Sequence, residues 1–202
     1  MDLKASMDKI YIIGRDEVPS SICVEASQSI SLSLVALPGV SADVDICVKL
    51  LGPEANAEIK GVFVCTGEEK LNINVKMQHQ SPHASSNQLF KGIVGGSAKV
   101  YFDGLIYVAQ DAQKTAAFQQ VHSLLLSKDA QMESRPQLEI YADDVQCTHG
   151  ATSGALNAEQ LFYMRSRGVA KEDAERFQKI AFLAPVIEHL SEEIKEEIYA
   201  TL

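Results

Sequence analysis

The chain has 202 residues, of which 46% are hydrophobic and 22% charged. A chain of this length and apolar content can form one or two domains with a substantial core, which excludes a disordered segment. Acidic residues outnumber basic ones by 27 to 18, for a net charge of −9, and no run of Lys and Arg offsets the surplus. Because such a surface repels a phosphate backbone, nucleic acid is excluded as an expected partner.

The cysteines are few, scattered and free of any Cys-x-x-Cys pair: Cys23, Cys47, Cys65 and Cys147. This pattern argues against a disulfide framework, a zinc ribbon and a thioredoxin-type motif. The first residues contain no basic segment followed by an apolar core, and the longest apolar runs are far shorter than the roughly 20 residues that span a bilayer. We therefore expect no signal peptide, no membrane association and a reducing, cytoplasmic location.

Up to about residue 150 the sequence alternates between apolar and polar residues with a period of two, which is typical of strands. Turn-forming pairs recur every 14 or 15 residues, at Pro38-Gly39, Gly52-Pro53, Thr66-Gly67, Ser81-Pro82 and Gly95-Gly96. This spacing predicts short strands joined by similar corners, and it leaves a sandwich, a barrel and a solenoid open. The alternation is clearest at three sets of residues: Val44, Ile46 and Val48; Ile59, Gly61, Phe63 and Cys65; and Leu71, Ile73, Val75 and Met77.

The period becomes helical at Asn157, which can cap a first helix with Gln160 reaching back as in a capping box. Gly168 suits the left-handed position that ends a helix. A second helix is predicted from about Lys171, and Pro185 should kink or end it because proline lacks an N–H.

A third, short helix is predicted after Ser191, with acidic residues on its first turn. We accordingly divide the chain into a β domain over residues 1–155 and a helical segment over residues 156–202. The apolar face of the second helix is predicted to comprise Ala174, Phe177, Ala181 and either Leu183 or Ala184. The apolar stripe of the third helix is predicted to comprise Ile194, Ile198 and Leu202.

Cys147 and His149 form the strongest candidate site. Residues two apart in a strand project to the same side, so a thiolate and an imidazole would share a face, with Asp143 joining them if the strand is unbroken. Zinc, iron or copper could bind there, or the pair could act as nucleophile and base; a structural thiol beside a turn histidine is the alternative. The strand is indicated by the preceding apolar residues Leu138, Ile140 and Val145.

Other chemically interesting residues have simpler interpretations. His79 and His83 flank a proline and are predicted to be surface histidines at a turn rather than metal ligands. The segment 91–97 is glycine-rich but lacks the Gly-Lys-Ser/Thr order of a phosphate loop, so we expect a corner. Asp103-Gly104 predicts a turn.

The remaining cysteines and histidines carry weaker expectations. Cys23, Cys47 and Cys65 are interpreted as core residues because they lie on or beside alternating segments. His122 is expected to be a hydrogen-bonded residue at a polar edge, and His189 has no recognisable partner in the sequence.

Residues 100–182 resemble the SufD and SufB scaffold proteins of the Suf iron–sulfur cluster assembly system, with the SufD branch closest. The resemblance lies in FDGLIYVAQDAQKTAAFQ (102–119), LLLS (124–127), RPQLEIYADDVQCTHGATSG (135–154) and EQLFYMRSRGV (159–169). Gly150 follows His149 where the SufB branch would carry Glu. Val121-His122 departs from the Asn-Arg usual in the family, and family members are about twice this length.

The resemblance implies a mainly β fold, a right-handed parallel β-helix followed by a C-terminal helical segment. It further implies a scaffold or accessory subunit rather than an enzyme, pairing through its β-helix with a SufB-like subunit or a second copy. A SufC-like ABC-type ATPase would bind the C-terminal helices, including the third-helix stripe. A transient iron–sulfur cluster would form at the subunit interface, with His149 and Cys147 as candidate metal ligands.

Two alternatives remain from other functional classes. One is a β-solenoid enzyme with Cys147 as nucleophile and His149 as base, which requires a thiol of depressed pKa. The other is a structural dimer that has kept the fold and lost the cluster chemistry.

Overall fold

The structure is a computed structural model that describes residues 6–202. About half of these residues form parallel strands, and the C-terminal part forms three helices. The strands are β1 (Ser6–Ile12), β2 (Ser21–Val24), β3 (Ser29–Ala36), β4 (Ala42–Leu50), β5 (Asn56–Cys65), β6 (Lys70–His79), β7 (Ser85–Val94), β8 (Lys99–Val108), β9 (Ala116–Leu125), β10 (Gln131–Ile140) and β11 (Gln146–Gly154). The helices are α1 (Ala158–Ser166), α2 (Lys171–Ile187) and α3 (Glu192–Ala200).

Consecutive strands alternate between two parallel sheets. The odd-numbered strands form one sheet in the order β1-β3-β5-β7-β9-β11, which we call the odd sheet, and the even-numbered strands form the even sheet. In the odd sheet from β3 to β11, paired residues such as Asn56 and Ser85 are 27 to 31 positions apart, so each coil comprises two strands. The chain is therefore a parallel β-helix, and the predicted 14- to 15-residue step is half a coil.

The predicted corners are confirmed, because all five turn-forming pairs lie between strands. The alternating residues of β4, β5 and β6 point into the space between the two sheets, where they form the main core. Large and small residues interlock there: Gly61 pairs with Phe90 and Phe63 with Gly92 on neighbouring strands. A Cβ on Gly92 would lie 1.7 Å from the Phe63 ring, so this packing requires glycine.

The C-terminal helices cover the outer face of the odd sheet. Leu183, Val186 and Ile187 of α2 and Ile198 of α3 are buried against Val35 and other outward-facing residues of the odd sheet. This second apolar cluster attaches the helical segment to the β-helix. Within residues 6–202, none of the helices has the length and apolar character required to cross a bilayer.

The predicted helix boundaries are largely confirmed. The Asn157 side chain accepts a hydrogen bond from the backbone N–H of Gln160 at 2.9 Å, and Gly168 adopts a φ of +88° just after α1. The reciprocal half of the capping box is wrong, because Gln178 of α2, instead of Gln160, accepts the backbone N–H of Asn157 at 2.8 Å. Pro185 does not end α2, which continues to Ile187.

The predicted inward face of α2 is wrong at two positions. Ala174 and Leu183 are buried as expected, but Phe177 is 52% exposed and Ala181 is also exposed. The physical reason is that α2 has two neighbours, the odd sheet and α1, so its apolar residues are divided between two faces.

Further predictions about the β domain are wrong in whole or in part. Asp103-Gly104 lies inside β8 and is not a turn, because Gly104 faces the core opposite the Gln119 amide. Cys23 is exposed and Cys47 half-buried on the outer face of the even sheet, while Cys65 is buried as expected. Segment 91–97 is a corner only from Gly95 onward, since its first residues belong to β7.

His79 is completely buried at the end of β6 and is not a surface residue. Its Nε2 lies 2.9 Å from the Ser86 hydroxyl, and burial lowers the pKa of its imidazole to about 4. His83, by contrast, is exposed at the corner, as predicted.

Candidate functional site at the open end of the β-helix

Cys147 and His149 lie on β11, the last strand of the odd sheet. They pair with Ala117 and Gln119 of β9, both of which point into the core and are completely buried. Cys147 and His149 therefore face the interior as well, but no further described strand pairs with β10 or β11 to cover them. We call this surface the open end; its inward-facing residues are Met132, Ser134, Pro136, Leu138, Ile140, Cys147, His149, Ala151 and Ser153.

The single strand predicted across residues 138–149 is in fact two strands in different sheets. β10 ends at Ile140, a corner follows, and β11 begins at Gln146. Asp143 lies in the corner, so the condition under which it would join the site is not met. Two candidate metal ligands, Cys147 and His149, remain on one face of β11. Residues two apart in a strand have Cα atoms roughly 6–7 Å apart.

The two candidate ligands differ in environment. His149 is exposed, whereas Cys147 is half-buried and packs against the main core. Burial raises the pKa of the Cys147 thiol, and a backbone hydrogen bond from Ala117 offsets part of the increase. A thiol with a raised pKa is a poor nucleophile at neutral pH, so the environment argues against the Cys147–His149 enzyme alternative.

A thiol and an imidazole are suitable ligands for iron and for iron–sulfur clusters. Among residues 6–202, however, no group of three or more His, Cys, Asp or Glu side chains is arranged to hold a metal ion. At the open end the structure therefore brings together two candidate ligands, Cys147 and His149, and not a complete metal site.

A second exposed feature lies between α1 and α2. A groove of about 780 Å³ is bordered by Tyr163 and Met164 of α1, by Phe177 and Phe182 of α2, and by Leu124 of β9. We call it the helical groove. Its walls are mostly apolar, and Tyr163 on one wall is 60% exposed. A contiguous exposed apolar patch of this kind is uncommon on a folded protein.

The predicted apolar stripe of α3 is not available as a partner surface. Ile198 is buried, and Ile194 and Leu202 pack with it against the helices and the outer face of the odd sheet. The exposed apolar surface of the helices therefore includes the helical groove, and Phe162 of α1, which lies outside the groove, is 75% exposed.

The remaining histidines have structural partners. His122 is hydrogen-bonded as expected, its Nδ1 lying 2.7 Å from the Thr152 hydroxyl. The partner of His189, which the sequence did not reveal, is the Ser33 hydroxyl at 2.7 Å from Nε2. This contact joins the turn after α2 to β3, and the long separation between the two residues explains why no local pattern indicated it.

Comparison with known proteins identifies the family. Residues 19–182 match the model of the SufBD core domain of the SUF system for FeS cluster assembly. The chain is 38% identical over 155 residues to the iron–sulfur cluster assembly protein SufD of Escherichia coli, covering 76% of this chain and 37% of that protein. It is 36% identical over 175 residues to the chloroplastic protein ABCI7 of Arabidopsis thaliana, covering 86% and 37% respectively.

SufD of Bacillus subtilis is also similar, at 33% identity over 154 residues. The match covers 76% of this chain and 35% of the B. subtilis protein, so the chain spans little more than a third of the length of these curated relatives. The match to the family model extends from β2 into α2 and includes the open end and α1. The chain belongs to the SufBD family, and its relatives place it with the SufD-type members.

Proposed function

We propose that this protein is an accessory subunit of iron–sulfur cluster assembly and not an enzyme, with a transient cluster forming at the open end. The observation that carries the proposal is the placement of Cys147 and His149 on inward positions of a terminal coil that nothing in the described chain covers. Two suitable ligands on an uncovered surface require a partner to complete the coordination of iron, which fits a scaffold better than an enzyme with a complete site.

The partner at the open end is a second β-helix, either a SufB-like subunit or another copy of this chain. No strand within residues 6–202 pairs with the outer backbone edges of β10 and β11, and such edges readily pair with strands of another protein. Ile140 and Tyr141, which are 38% and 61% exposed, add apolar area beside these edges. Pairing here would place the ligands of both subunits at one interface.

A SufC-like ABC-type ATPase binds the helical groove. Its exposed aromatic residues are of the kind that dominate binding energy in protein interfaces. Because the chain carries a net charge of −9, we expect the docking surface of the ATPase to be basic around an apolar centre.

The site is tested by His149→Ala in a reconstituted mixture of this chain, a SufB-type subunit and the ATPase, with cluster transfer to an apo-ferredoxin as the measurement. His149 is exposed, so its replacement should leave folding unchanged and reduce transfer. His83→Ala is the matched control, since His83 is an exposed histidine at a distant corner. Unchanged transfer by the His149 variant would contradict the role of this residue.

ATPase docking is tested by the double variant Tyr163→Ser and Phe177→Ser in a binding titration with the purified ATPase. Loss of interface aromatic residues typically costs about 2 kcal/mol or more, or about 30-fold in affinity. Phe118→Ser is the matched control, because Phe118 is 38% exposed on the odd sheet and lies outside the helical groove. Equal binding by the double variant and the wild type would exclude the groove as the docking surface.

A further inference from the structure

A column of inward-facing residues runs through the odd sheet to the open end. Gln88 of β7 pairs with Gln119 of β9, which in turn pairs with His149 of β11. The strands are parallel and in register, so the three side chains occupy equivalent positions on successive coils, about 4.8 Å apart. Gln88 and Gln119 are both completely buried, whereas His149 is exposed.

The buried amides of this column are only partly hydrogen-bonded. Gln119 donates from Nε2 to Oε1 of Gln88 at 3.0 Å. Within residues 6–202, the two outer atoms of this amide pair, Nε2 of Gln88 and Oε1 of Gln119, have no hydrogen-bond partner. Buried carbonyl oxygens in native proteins nearly always have a partner, so an unsatisfied one indicates a missing interaction.

The direction of the unsatisfied atom follows from the geometry of an amide. The nitrogen and oxygen of an amide diverge from its trigonal carbon, and in a ladder of in-register Gln residues each amide bonds to the one before and the one after. Nε2 of Gln119 is directed to the preceding coil, which leaves Oε1 for the following coil. The residue at the equivalent position of that coil is His149.

Gly104 holds the Gln119 amide in this position. A Cβ on Gly104 would lie 2.5 Å from both Nε2 and Oε1 of Gln119, so the amide occupies the space that glycine leaves on β8. The amide is thus located between β8 and Gln88, with little freedom to move elsewhere.

We propose that Gln119 is the positioning residue of His149: when a metal ion arrives at the open end, Oε1 of Gln119, which has no partner within residues 6–202 of this structure, accepts the N–H of the imidazole, so that the other ring nitrogen faces the ion. Metal-binding histidines usually donate their second N–H to a carbonyl or carboxylate, which fixes the tautomer and the ring orientation. This inference deepens the proposed function and rests on His149 being a ligand of the site.

The test uses the full chain with ¹⁵N-labelled histidine and Zn²⁺ as a diamagnetic probe, followed by NMR of the imidazole nitrogens at pH 7. His149→Ala assigns the relevant signals. In the wild type we expect Zn²⁺ on one nitrogen of His149 and a proton on the other. Gln119→Met, which keeps the volume but removes the acceptor, should weaken Zn²⁺ binding by about 10- to 100-fold and let both nitrogens bind the ion.

Two further variants separate positioning from packing. Gly104→Ala displaces the Gln119 amide without removing it and should also weaken Zn²⁺ binding. Gln119→Glu keeps an acceptor at this position and should retain the wild-type tautomer of His149. Ser123→Ala is the control: Ser123 is a buried polar residue of the same strand, its hydroxyl lies 2.7 Å from that of Ser153 on β11, and its loss should leave Zn²⁺ binding unchanged.

The proposal is overturned if Gln119→Met matches the wild type in tautomer and affinity, or if Ser123→Ala loses as much affinity as Gln119→Met. Failure of the proposed function gives a different result. In that case the Gln119 variants alter the His149 signals and Zn²⁺ binding, but His149→Ala leaves cluster transfer intact.

Discussion

Gly92→Ala is the most direct test of the packing between successive coils. The added Cβ would lie 1.7 Å from Cε2 of Phe63 and 2.1 Å from two other ring carbons, about half of a normal contact distance. Phe63 is completely buried, and on the other side of Gly92 the neighbouring residue is Ser123, itself 3% exposed. The ring therefore has little space into which it can move.

Overpacking a core typically costs about 1–3 kcal/mol, and the severity of this overlap indicates a value of about 3 kcal/mol or more. For a chain of this size, such a loss lowers Tm by roughly 6–12 °C. Calorimetry and urea unfolding of the wild type and the variant measure both quantities. The matched control is Gly154→Ala, because a Cβ on Gly154 meets nothing within 4 Å, and we expect a change within about 0.5 kcal/mol.

A compensating change distinguishes steric overlap from a backbone effect. Adding Phe63→Leu to Gly92→Ala should recover part of the loss, since contacting residues show coupling energies of roughly 0.5–3 kcal/mol. If Gly92→Ala were as stable as Gly154→Ala, or if Phe63→Leu brought no recovery, the interlocking of Phe and Gly would not be what the β-helix requires.

Three other predictions follow from burial. Burial lowers the pKa of His79 to about 4 in the folded chain, against an ordinary value of 6.5, so the unfolded chain binds the proton first as the pH falls. The free energy of unfolding is therefore highest above pH 6.5 and falls by about 3 kcal/mol toward pH 4. His79→Leu should flatten this pH dependence, measured by urea unfolding. Ile198→Ala should cost about 2–5 kcal/mol in the same assay. Glu197→Ala is the control and should cost far less, because its ion pair with Arg15 is exposed to solvent, and equal losses would contradict the packing of α3. Burial, and to a lesser extent the nearby Glu69 carboxylate, raises the pKa of the Cys65 thiol to about 12. Cys65 should therefore resist alkylation until the chain unfolds, and rapid labelling of the native protein would refute its burial.

The coil structure could be predicted from the sequence because its signals are local. A turn-forming pair every 14 or 15 residues and alternation between them describe a corner and a strand without reference to distant residues. Helix termini have the same property, as Asn157 and Gly168 illustrate. Local signals did not distinguish a sandwich, a barrel and a solenoid, because these folds differ in contacts between distant residues. The family resemblance specified the β-helix.

The errors concern residues whose environment depends on the next coil. Gly104 has the sequence signature of a turn, but its real role is to accommodate Gln119, which lies 15 residues further along the chain. Cys23 alternates as a core residue would, yet it faces outward because register with β4 places it on the other face. Phe177 was assigned to a single apolar face, although α2 packs against two neighbours.

The open end explains why an ionisable side chain can occupy an inward-facing position of the β-helix. In the column that ends at His149, the strands from β1 to β9 contribute Lys9, Leu32, Ile59, Gln88 and Gln119, so the two ionisable residues stand at the two ends of the column, where both are exposed. Inside the stack a charged or metal-binding group would be costly to bury, because the next coil removes it from water. Within residues 6–202 no further strand covers β11, so the His149 imidazole can keep the inward orientation of its column and remain exposed to water. The confinement of ionisable residues to the ends of a column therefore follows from burial, and it becomes visible in the sequence once the register is known.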